Sequence, residues 1–198
     1  MASAPDLAQL TEKLQAYVGA KRIGHSLNTA QAARELAERH APQLAEKAAL
    51  AGLLHDHAKR MSDAELIATA KRLDIEVSPG EHRWPALLHG KIGAALIAER
   101  FGVKDAEISQ AVADHVTGRP NMGILSLILY VADQAAADRE FPGVQELRQV
   151  AETDLKRAAF LVAKHKLRYV LSRERLIDPT TIAVYNELRS ACQESADE

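Results

Sequence analysis

Apolar residues recur at helical spacing along almost the whole chain, and no segment shows the strict alternation of a half-buried strand. The pattern therefore predicts an all-α protein. The stretch DIEVSPGEHRW, at 74–84, has no helical signal and is expected to be a surface loop. The predicted helices span about 6–20, 24–40, 44–58, 62–73, 88–101, 105–116, 123–138, 144–172 and 179–192.

Composition and charge narrow the function classes without choosing one. The 198 residues carry 25 basic and 27 acidic side chains, a net charge of −2, and the basic residues are dispersed. Nucleic-acid binding by phosphate neutralisation is therefore not expected, whereas a local positive pocket for a small phosphorylated ligand remains compatible with this charge. Cys192 is the only cysteine, which excludes disulfide scaffolds and thiolate zinc sites.

The sequence also indicates where the protein works. The first ten residues, MASAPDLAQL, lack the basic and apolar regions of a secretory signal. The most apolar run, at 122–132, is too short to span a bilayer as a helix. We therefore expect a cytoplasmic protein without a membrane partner.

Six titratable residues occupy positions at which the predicted helices should be apolar. Asp133, for example, stands four residues after Leu129 and eight after Leu125. A carboxylate removed from water is strongly unfavourable unless something compensates its charge. A divalent metal satisfies imidazole and carboxylate groups together, so the joint pattern predicts a metal site in the core. The six residues are His25, His55, Asp56, His89, His115 and Asp133.

The remaining histidines are interpreted as structural. His40 ends a helix, where a cation suits the helix dipole. His57 falls opposite His55 on the predicted helix and is expected to be exposed. His82 lies in the 74–84 loop, within reach of a substrate, and His165 is expected to be structural or solvated.

Longer motifs around these residues resemble the HD-domain phosphohydrolase superfamily and, more closely, the YqeK-type HD proteins, which are bacterial symmetrical bis(5'-nucleosyl)-tetraphosphatases. LLHDHAK alone indicates only the superfamily, whereas HVTGRPNM together with FPGV is more specific. The resemblance covers roughly 14–190 and implies one HD-type domain over 1–198, a helical bundle with a motif-bearing core at about 20–140 and C-terminal helices at about 144–192. The motifs are RIGHSLNTAQAARELAERH, LAGLLHDHAK, LLHGKIGA, DHVTGRPNM, YVAD and REFPGVQELRQVAETDL.

The resemblance implies an activity and a cofactor. Such enzymes split diadenosine tetraphosphate symmetrically into two ADP with iron or a similar metal; Mn, Co, Zn and Mg are the other candidates, and one or two ions are compatible with the residues. Matched by position, the metal ligands are His25, His55, Asp56 and Asp133, while His89 and His115 either hold a second metal or contact phosphate. The nucleotide and phosphate positions are Arg22, Lys59, His89, His115, Thr117, Gly118, Arg119 and Arg139.

Two of these residues are assigned catalytic roles. Asp56 is expected to bind the metal and to orient the attacking water. Lys59 is expected to face the phosphates about one helical turn from His55 as a point charge. Arg119 and Arg139 are expected to neutralise charge on the polyphosphate leaving group.

The sequence departs from the family pattern beside the late aspartate. Ala135–Ala137 stand where the family usually carries Ile-Glu-Pro, and His57 replaces a more usual aromatic residue. Two alternatives therefore stay open: another HD-superfamily nucleotide phosphohydrolase, such as a nucleotidase or cyclic-nucleotide phosphodiesterase, and a non-catalytic nucleotide-binding regulator. The long 144–172 segment also suggests a homodimer through an apolar face.

Overall fold

A computed structural model describes residues 7–194 and contains eleven α-helices and no strand within that range. The all-α prediction is confirmed, and short 3-10 turns at Pro42–Leu44 and Pro85–Leu88 precede two of the helices. The predicted start of the first helix at residue 6 lies outside the described residues. The helices are α1 Leu7–Val18, α2 Ala20–His40, α3 Ala45–Leu54, α4 Asp63–Arg72, α5 Pro79–Arg83, α6 His89–Phe101, α7 Ala106–Asp114, α8 Ile124–Ala135, α9 Val144–Ala151, α10 Leu155–Ser172 and α11 Pro179–Glu194.

Capping residues explain two places where the predicted boundaries are wrong. The predicted helix 144–172 is two helices, because the Asp154 side chain accepts a hydrogen bond from the Arg157 N–H (2.8 Å) and starts α10. The predicted loop at 74–84 contains α5, which a capping box between Ser78 and Glu81 begins. Both signals are local and short, and the apolar periodicity on either side of them hides them.

The third difference has the largest consequence for the site. The predicted helix 44–58 ends at Leu54, and residues 55–60 form successive turns. His55 and Asp56 therefore stand on a turn after α3 instead of along a helix. Gly52 lets this part of α3 approach α2, since a Cβ there would lie 2.8 Å from the Cα of Ala30.

Helix α8 is the central element of the core. Every residue from Leu125 to Asp133 is buried, and α2, α7 and α10 pack around it. Its cluster of buried apolar residues includes members from every helix except α4 and α5. A smaller apolar cluster joins α4 to α6 through Leu66, Ile92 and Leu96. The turn at 55–60 contributes to this second cluster through Ala58 and so connects the two.

Within residues 7–194, no helix is both long and apolar enough to cross a membrane.

Candidate metal centre and substrate cavity

The structure brings the six predicted metal-type residues together in the centre of the helical assembly. Five are buried, and His25 is the partly exposed member. They come from elements that are distant in sequence, so the convergence results from the packing around α8. His25 lies on α2, His55 and Asp56 on the turn after α3, His89 at the start of α6, His115 directly after α7, and Asp133 on α8.

Three of the histidines are oriented by their own local backbone. Each stands at the end of a helical turn, where main-chain carbonyls lack an intrahelical partner. In each, the ring Nδ1 lies within hydrogen-bond distance of the carbonyl oxygen three residues earlier. An Nδ1–H that donates to this carbonyl leaves a lone pair on Nε2, the atom directed at the centre. The distances are 2.7 Å for His55 to Gly52, 2.5 Å for His89 to Ala86 and 2.7 Å for His115 to Val112.

His25 is oriented differently. It lies near the start of the 21-residue helix α2, whose carbonyls are engaged in the helix itself. Its Nδ1 instead faces the Asp138 carboxylate, 2.9 Å away, on the segment after α8. Asp138 also accepts a hydrogen bond from the Asn28 amide (3.2 Å), one helical turn after His25. Sequence reasoning did not identify Asp138.

His25, His55 and Asp133 form the first ligand group, with ligand atoms within 4.8 Å of one another. The Nε2 of His25 lies 3.0 Å from Asp133 Oδ1, and the Nε2 of His55 lies 3.8 Å from the same oxygen. His55 is fully buried, and its Nε2 has no hydrogen-bond partner among the residues that the structure describes. A buried nitrogen lone pair without a donor fits a bound cation.

His55, Asp56 and His115 form the second ligand group, with His89 beside it. The Nε2 atoms of His89 and His115 are 3.1 Å apart, and Asp56 Oδ1 lies 3.1 Å from His89 Nε2 and 3.6 Å from His115 Nε2. Both histidines use Nδ1–H toward the backbone, so their facing Nε2 lone pairs repel each other unless a proton or a metal ion lies between them. The donor set, nitrogen and oxygen without sulfur, suits a divalent transition metal.

The pKa values keep most of these side chains in the protonation states that bind a metal ion. Burial lowers the pKa of His55 to about 4, and burial likewise lowers the pKa values of His89 and His115, so these imidazoles are neutral near pH 7. Burial alone raises the pKa of Asp56, but His55, His115, His89 and Lys59 outweigh it and hold this pKa well below the ordinary value. Ionised carboxylates and neutral imidazoles are the forms that bind metal.

Asp133 and His25 also shift each other's pKa values. Burial raises the pKa of Asp133, but the hydrogen bond from His25 and the Arg139 charge bring it well below the ordinary value. The pKa of His25 is raised overall, because the effect of Asp133 and Asp138 exceeds that of burial and of Arg139. Metal binding at His25 would therefore displace a proton from its Nε2.

A cavity of about 490 Å³ opens beside the two ligand groups. Its size falls within the range of small-molecule sites. Lys59, His89, His115, Thr117, Asp133 and Arg139 line one side, as the sequence predicted for the metal and phosphate region. A second part of the lining comes from Trp84 and from α10 and the segment after it: Trp84, His165, Lys166, Tyr169, Val170, Arg175, Leu176, Asp178 and Thr181.

The predicted phosphate-binding residues divide into those that reach this region and those that do not. Lys59 Nζ lies 3.0 Å from His89 Nε2, and Arg22 lies 3.4 Å from Asp56 Oδ2 with its side chain half exposed. Arg139 pairs with Asp133 and donates to its carbonyl (2.8 Å). Gly118 and Arg119 are not among the residues that line the cavity within the described part of the chain.

Gly118 and Arg119 have structural contacts instead. Gly118 adopts a left-handed conformation (φ +75°), and its N–H closes the end of α7 on the Asp114 carbonyl (2.8 Å). A Cβ at this position would lie 3.0 Å from Val184, so close packing against α11 also favours glycine. Arg119 faces Asp114 (3.4 Å).

Lys166 is the most unexpected residue of the cavity. Its Nζ donates to the carbonyls of His115 (2.7 Å) and Val116 (2.9 Å) and lies 3.7 Å from the centre of the Tyr130 ring. Burial lowers the pKa of Lys166 to about 7, opposed by Asp133 and assisted by Arg139 and Lys59. A lysine in the run FLVAKHKLRY gives no local signal for this position.

An aromatic and cationic stack completes the same side. The Arg175 guanidinium lies 3.8 Å from the centre of the Trp84 ring and 6.0 Å from the centre of the Tyr169 ring. The 74–84 segment therefore contributes Trp84 to the cavity, while His82 is exposed and outside its lining. His165 also lines the cavity and stacks on Phe141 at 3.9 Å.

The expectation that His57 is exposed is wrong. Because α3 ends at Leu54, the turn directs His57 inward, where it is 2 % exposed. Its Nε2 lies 2.9 Å from the Gly93 carbonyl, and Arg100 lies 3.2 Å from Nδ1. His57 therefore anchors the 55–60 turn to α6, while His40 at the end of α2 pairs with the Ala151 carbonyl (2.7 Å).

Arg148 explains how the unusual alanine segment keeps its shape. Its guanidinium donates to the carbonyls of Ala135 (2.9 Å), Ala136 (2.7 Å) and Arg139 (3.1 Å). These bonds fold the chain after α8 back on itself. As a result, Asp138 and Arg139 are directed toward the ligand groups.

Comparison with known proteins agrees with this fold and site. The model of the HD domain family matches residues 22–138, and the chain belongs to this family. More specifically, it belongs with the YqeK-type members. It is 35% identical over 169 residues to the symmetrical bis(5'-nucleosyl)-tetraphosphatase of Bacillus subtilis (strain 168), covering 85% of this chain and 90% of that protein.

Two further similarities have comparable extent. A protein of the same name from Halalkalibacterium halodurans is 34% identical over 84% of this chain and 88% of its own length. The crystal structure of an HD superfamily hydrolase from Clostridium acetobutylicum, described as involved in NAD metabolism, superposes with a TM-score of 0.89 at 34% identity. That superposition covers 94% of this chain and 98% of the other.

Proposed function

We propose that this protein is a metal-dependent hydrolase that cleaves diadenosine tetraphosphate symmetrically into two ADP. The observation that carries the chemistry is the convergence of histidine Nε2 atoms on two carboxylates beside a cavity lined by cationic side chains. The substrate and the cleavage position come from the relatives, which are named symmetrical tetraphosphatases.

The two ligand groups would hold the metal. We assign His25, His55, Asp56 and Asp133 as ligands, with His89 and His115 completing a position for a second ion or contacting phosphate. A bound divalent ion supplies Lewis-acid activation of water and of a phosphoryl oxygen. Iron is the native ion that we propose, since the nitrogen and oxygen donors suit it and no thiolate is present in the site.

The residues of the chain perform the rest of the reaction. Asp56 Oδ1 faces His89, His115 and Lys59, so this carboxylate can accept a hydrogen bond from the attacking water and orient it. Arg139, Lys59 and Arg22 lie around the same centre and neutralise the negative charge that builds on the departing ADP. Thr117 lies on the cavity wall within reach of a phosphate. Gly118 and Arg119 remain predicted phosphate contacts through the backbone and through a change in the Arg119 side-chain direction.

Three finer assignments complete the proposal. We propose that the protein works in the cytoplasm. We also propose that it acts on free nucleotide and not on nucleic acid, as its net charge of −2 suggests. We propose a homodimer, supported by exposed apolar side chains at the end of α10 and just beyond it, Leu171 and Leu176.

Product analysis tests the activity. Metal-loaded protein is incubated with diadenosine tetraphosphate, and the nucleotides are separated by anion-exchange chromatography. We expect ADP as the sole product, two per substrate consumed. AMP with ATP would contradict symmetrical cleavage, and nucleotide binding without turnover would favour the non-catalytic regulator instead.

A further inference from the structure

We propose that Asp138 is a positioning residue for the metal centre and that it acts through His25. The proposal rests on the metal site described above. Asp138 lies next to the unusual Ala135–Ala137 segment, and no comparison assigns it a role.

The four histidines of the metal centre are held in two different ways. His55, His89 and His115 each have a backbone carbonyl three residues earlier that accepts from Nδ1. His25 has none, because its helix continues for fifteen residues beyond it to His40 and uses its carbonyls internally. Its ring direction therefore depends on a partner from outside α2.

Asp138 is that partner. Its Oδ2 lies 2.9 Å from His25 Nδ1, while Asn28 donates to its Oδ1 (3.2 Å) and fixes the carboxylate against α2. The arrangement places a carboxylate behind a ligand imidazole. This combination fixes the tautomer of the imidazole and raises the basicity of the nitrogen that would face the metal. A carboxylate also favours donation from His25 more strongly than the neutral carbonyls behind the other three histidines can.

Arg148 makes the contact possible. The segment that carries Asp138 is held by the hydrogen bonds from Arg148 to the carbonyls on both sides of it, at Ala136 and Arg139. The same segment directs Arg139 to Asp133 Oδ1, the oxygen that also faces His25 Nε2, so it orients a partner for each of these two ligands. The metal affinity should therefore depend on Asp138 even though its side chain is 37% exposed.

The test measures Co²⁺ affinity by competition with a chromophoric chelator, using wild type, Asp138→Ala, Asp138→Asn and Glu140→Gln. Glu140 is an exposed acid in the same segment, so Glu140→Gln controls for the loss of one negative charge. We expect Asp138→Ala to weaken Co²⁺ binding about 10–100-fold, the range seen for groups behind metal ligands. Asp138→Asn keeps an acceptor oxygen and should fall between Asp138→Ala and wild type, while Glu140→Gln should match wild type.

Equal affinity in wild type and Asp138→Ala would overturn the proposal, as would an equal loss in Glu140→Gln. Circular dichroism checks that each variant is folded; if Asp138→Ala is not, wild-type affinity in Asp138→Asn is the result that overturns it. The readout is independent of turnover. If the wild-type protein binds Co²⁺ but releases no ADP, the proposed function is contradicted. The Co²⁺ affinities of the variants still decide the role of Asp138 in that case.

Discussion

The cavity has two walls of different construction. On the wall formed by the 55–60 turn, α6, the residues directly after α7 and α8, the side chains of His89, His115 and Asp133 are buried and are held by main-chain carbonyls or by neighbouring side chains. On the wall formed by α10 and the segment up to Thr181, the side chains of Tyr169 and Leu176 are exposed, Arg175 is half-buried, and the Arg175 guanidinium stacks on Trp84. The difference indicates that the first wall holds the groups that perform the reaction. The second wall contributes to substrate binding, and substitutions there should have smaller effects.

Substitution on the first wall should have the largest effect. Asp56→Ala removes the carboxylate that faces His89, His115 and Lys59, so we expect activity to fall by more than about a thousandfold and bound metal to be lost. Helical content, measured by circular dichroism, should stay near that of wild type. Asp63→Ala, which removes an exposed carboxylate at the start of α4, serves as the control and should keep both activity and metal. Retained metal in Asp56→Ala would show that the ligands are wrongly assigned.

The buried histidines of the first wall should also make the metal-free protein sensitive to acid. His55 and His57 have folded pKa values of about 4, below the ordinary 6.5, so the unfolded chain binds more protons between these values. Stability is therefore present above about pH 6.5 and decreases as the pH falls toward 4, by at most about 3 kcal/mol for each group. Below that range, Asp56 and Asp133 add to the loss of stability. Their pKa values are lowered in the folded protein, so the stability that they contribute disappears when they become protonated.

Urea unfolding of metal-free wild type at pH 7 and pH 5 measures this effect, with His57→Phe as the comparison. His25 opposes the trend, since its raised pKa gives stability that is present below 6.5 and lost as the pH rises. The variant should lose less stability between the two pH values than wild type does. Identical pH dependence in the two proteins would contradict the assignment of His57 as a neutral buried imidazole.

Lys166 lies where the two walls meet, so its substitution should have an intermediate effect. Lys166→Met removes the hydrogen bonds to the carbonyls of His115 and Val116 and a basic group from the cavity. We expect kcat/KM to fall about tenfold, corresponding to roughly 1.4 kcal/mol. Lys156→Met, on the exposed surface of α10, is the matched control. Unchanged kinetics in Lys166→Met would place this lysine outside the reaction.

Substitution on the second wall should have the smallest effect. Arg175→Ala removes the guanidinium that covers Trp84, and we expect KM to rise by about threefold to tenfold with kcat unchanged, as for a contact made equally before and during the reaction. Arg72→Ala, which removes an exposed arginine at the end of α4 outside the cavity lining, should change neither constant. A fall in kcat for Arg175→Ala would mean that the second wall also shapes the chemistry.

The same two walls show what the sequence could predict. The six ligand-type residues could be predicted because each interrupts an apolar stripe. Helical periodicity reveals such an interruption from the neighbouring residues alone. Asp138 and Lys166 gave no such signal. His25 and Asp138 are 113 residues apart, and Lys166 reaches His115 across 51, so their roles depend on packing that no local pattern contains.

The end of α3 also limited what could be predicted from the sequence. The prediction that His57 is exposed followed correctly from a helix that continues to residue 58, but α3 ends at Leu54 and reverses the direction of the side chain. The end of α3 itself has no glycine or proline signal, because the turn is stabilised by His57 and Arg100 contacts that form only in the folded protein. The helical class was readable throughout, whereas this boundary was not.

The central claim is that the buried histidine and aspartate residues form a metal centre on which the activity depends. Elemental analysis of wild-type protein, purified without a chelator or a nickel column and assayed in parallel for ADP release, tests it most directly. The account predicts one or two equivalents of a divalent transition metal per chain, and loss of ADP release when the metal is removed. Full activity of metal-free protein in the presence of a chelator would contradict it.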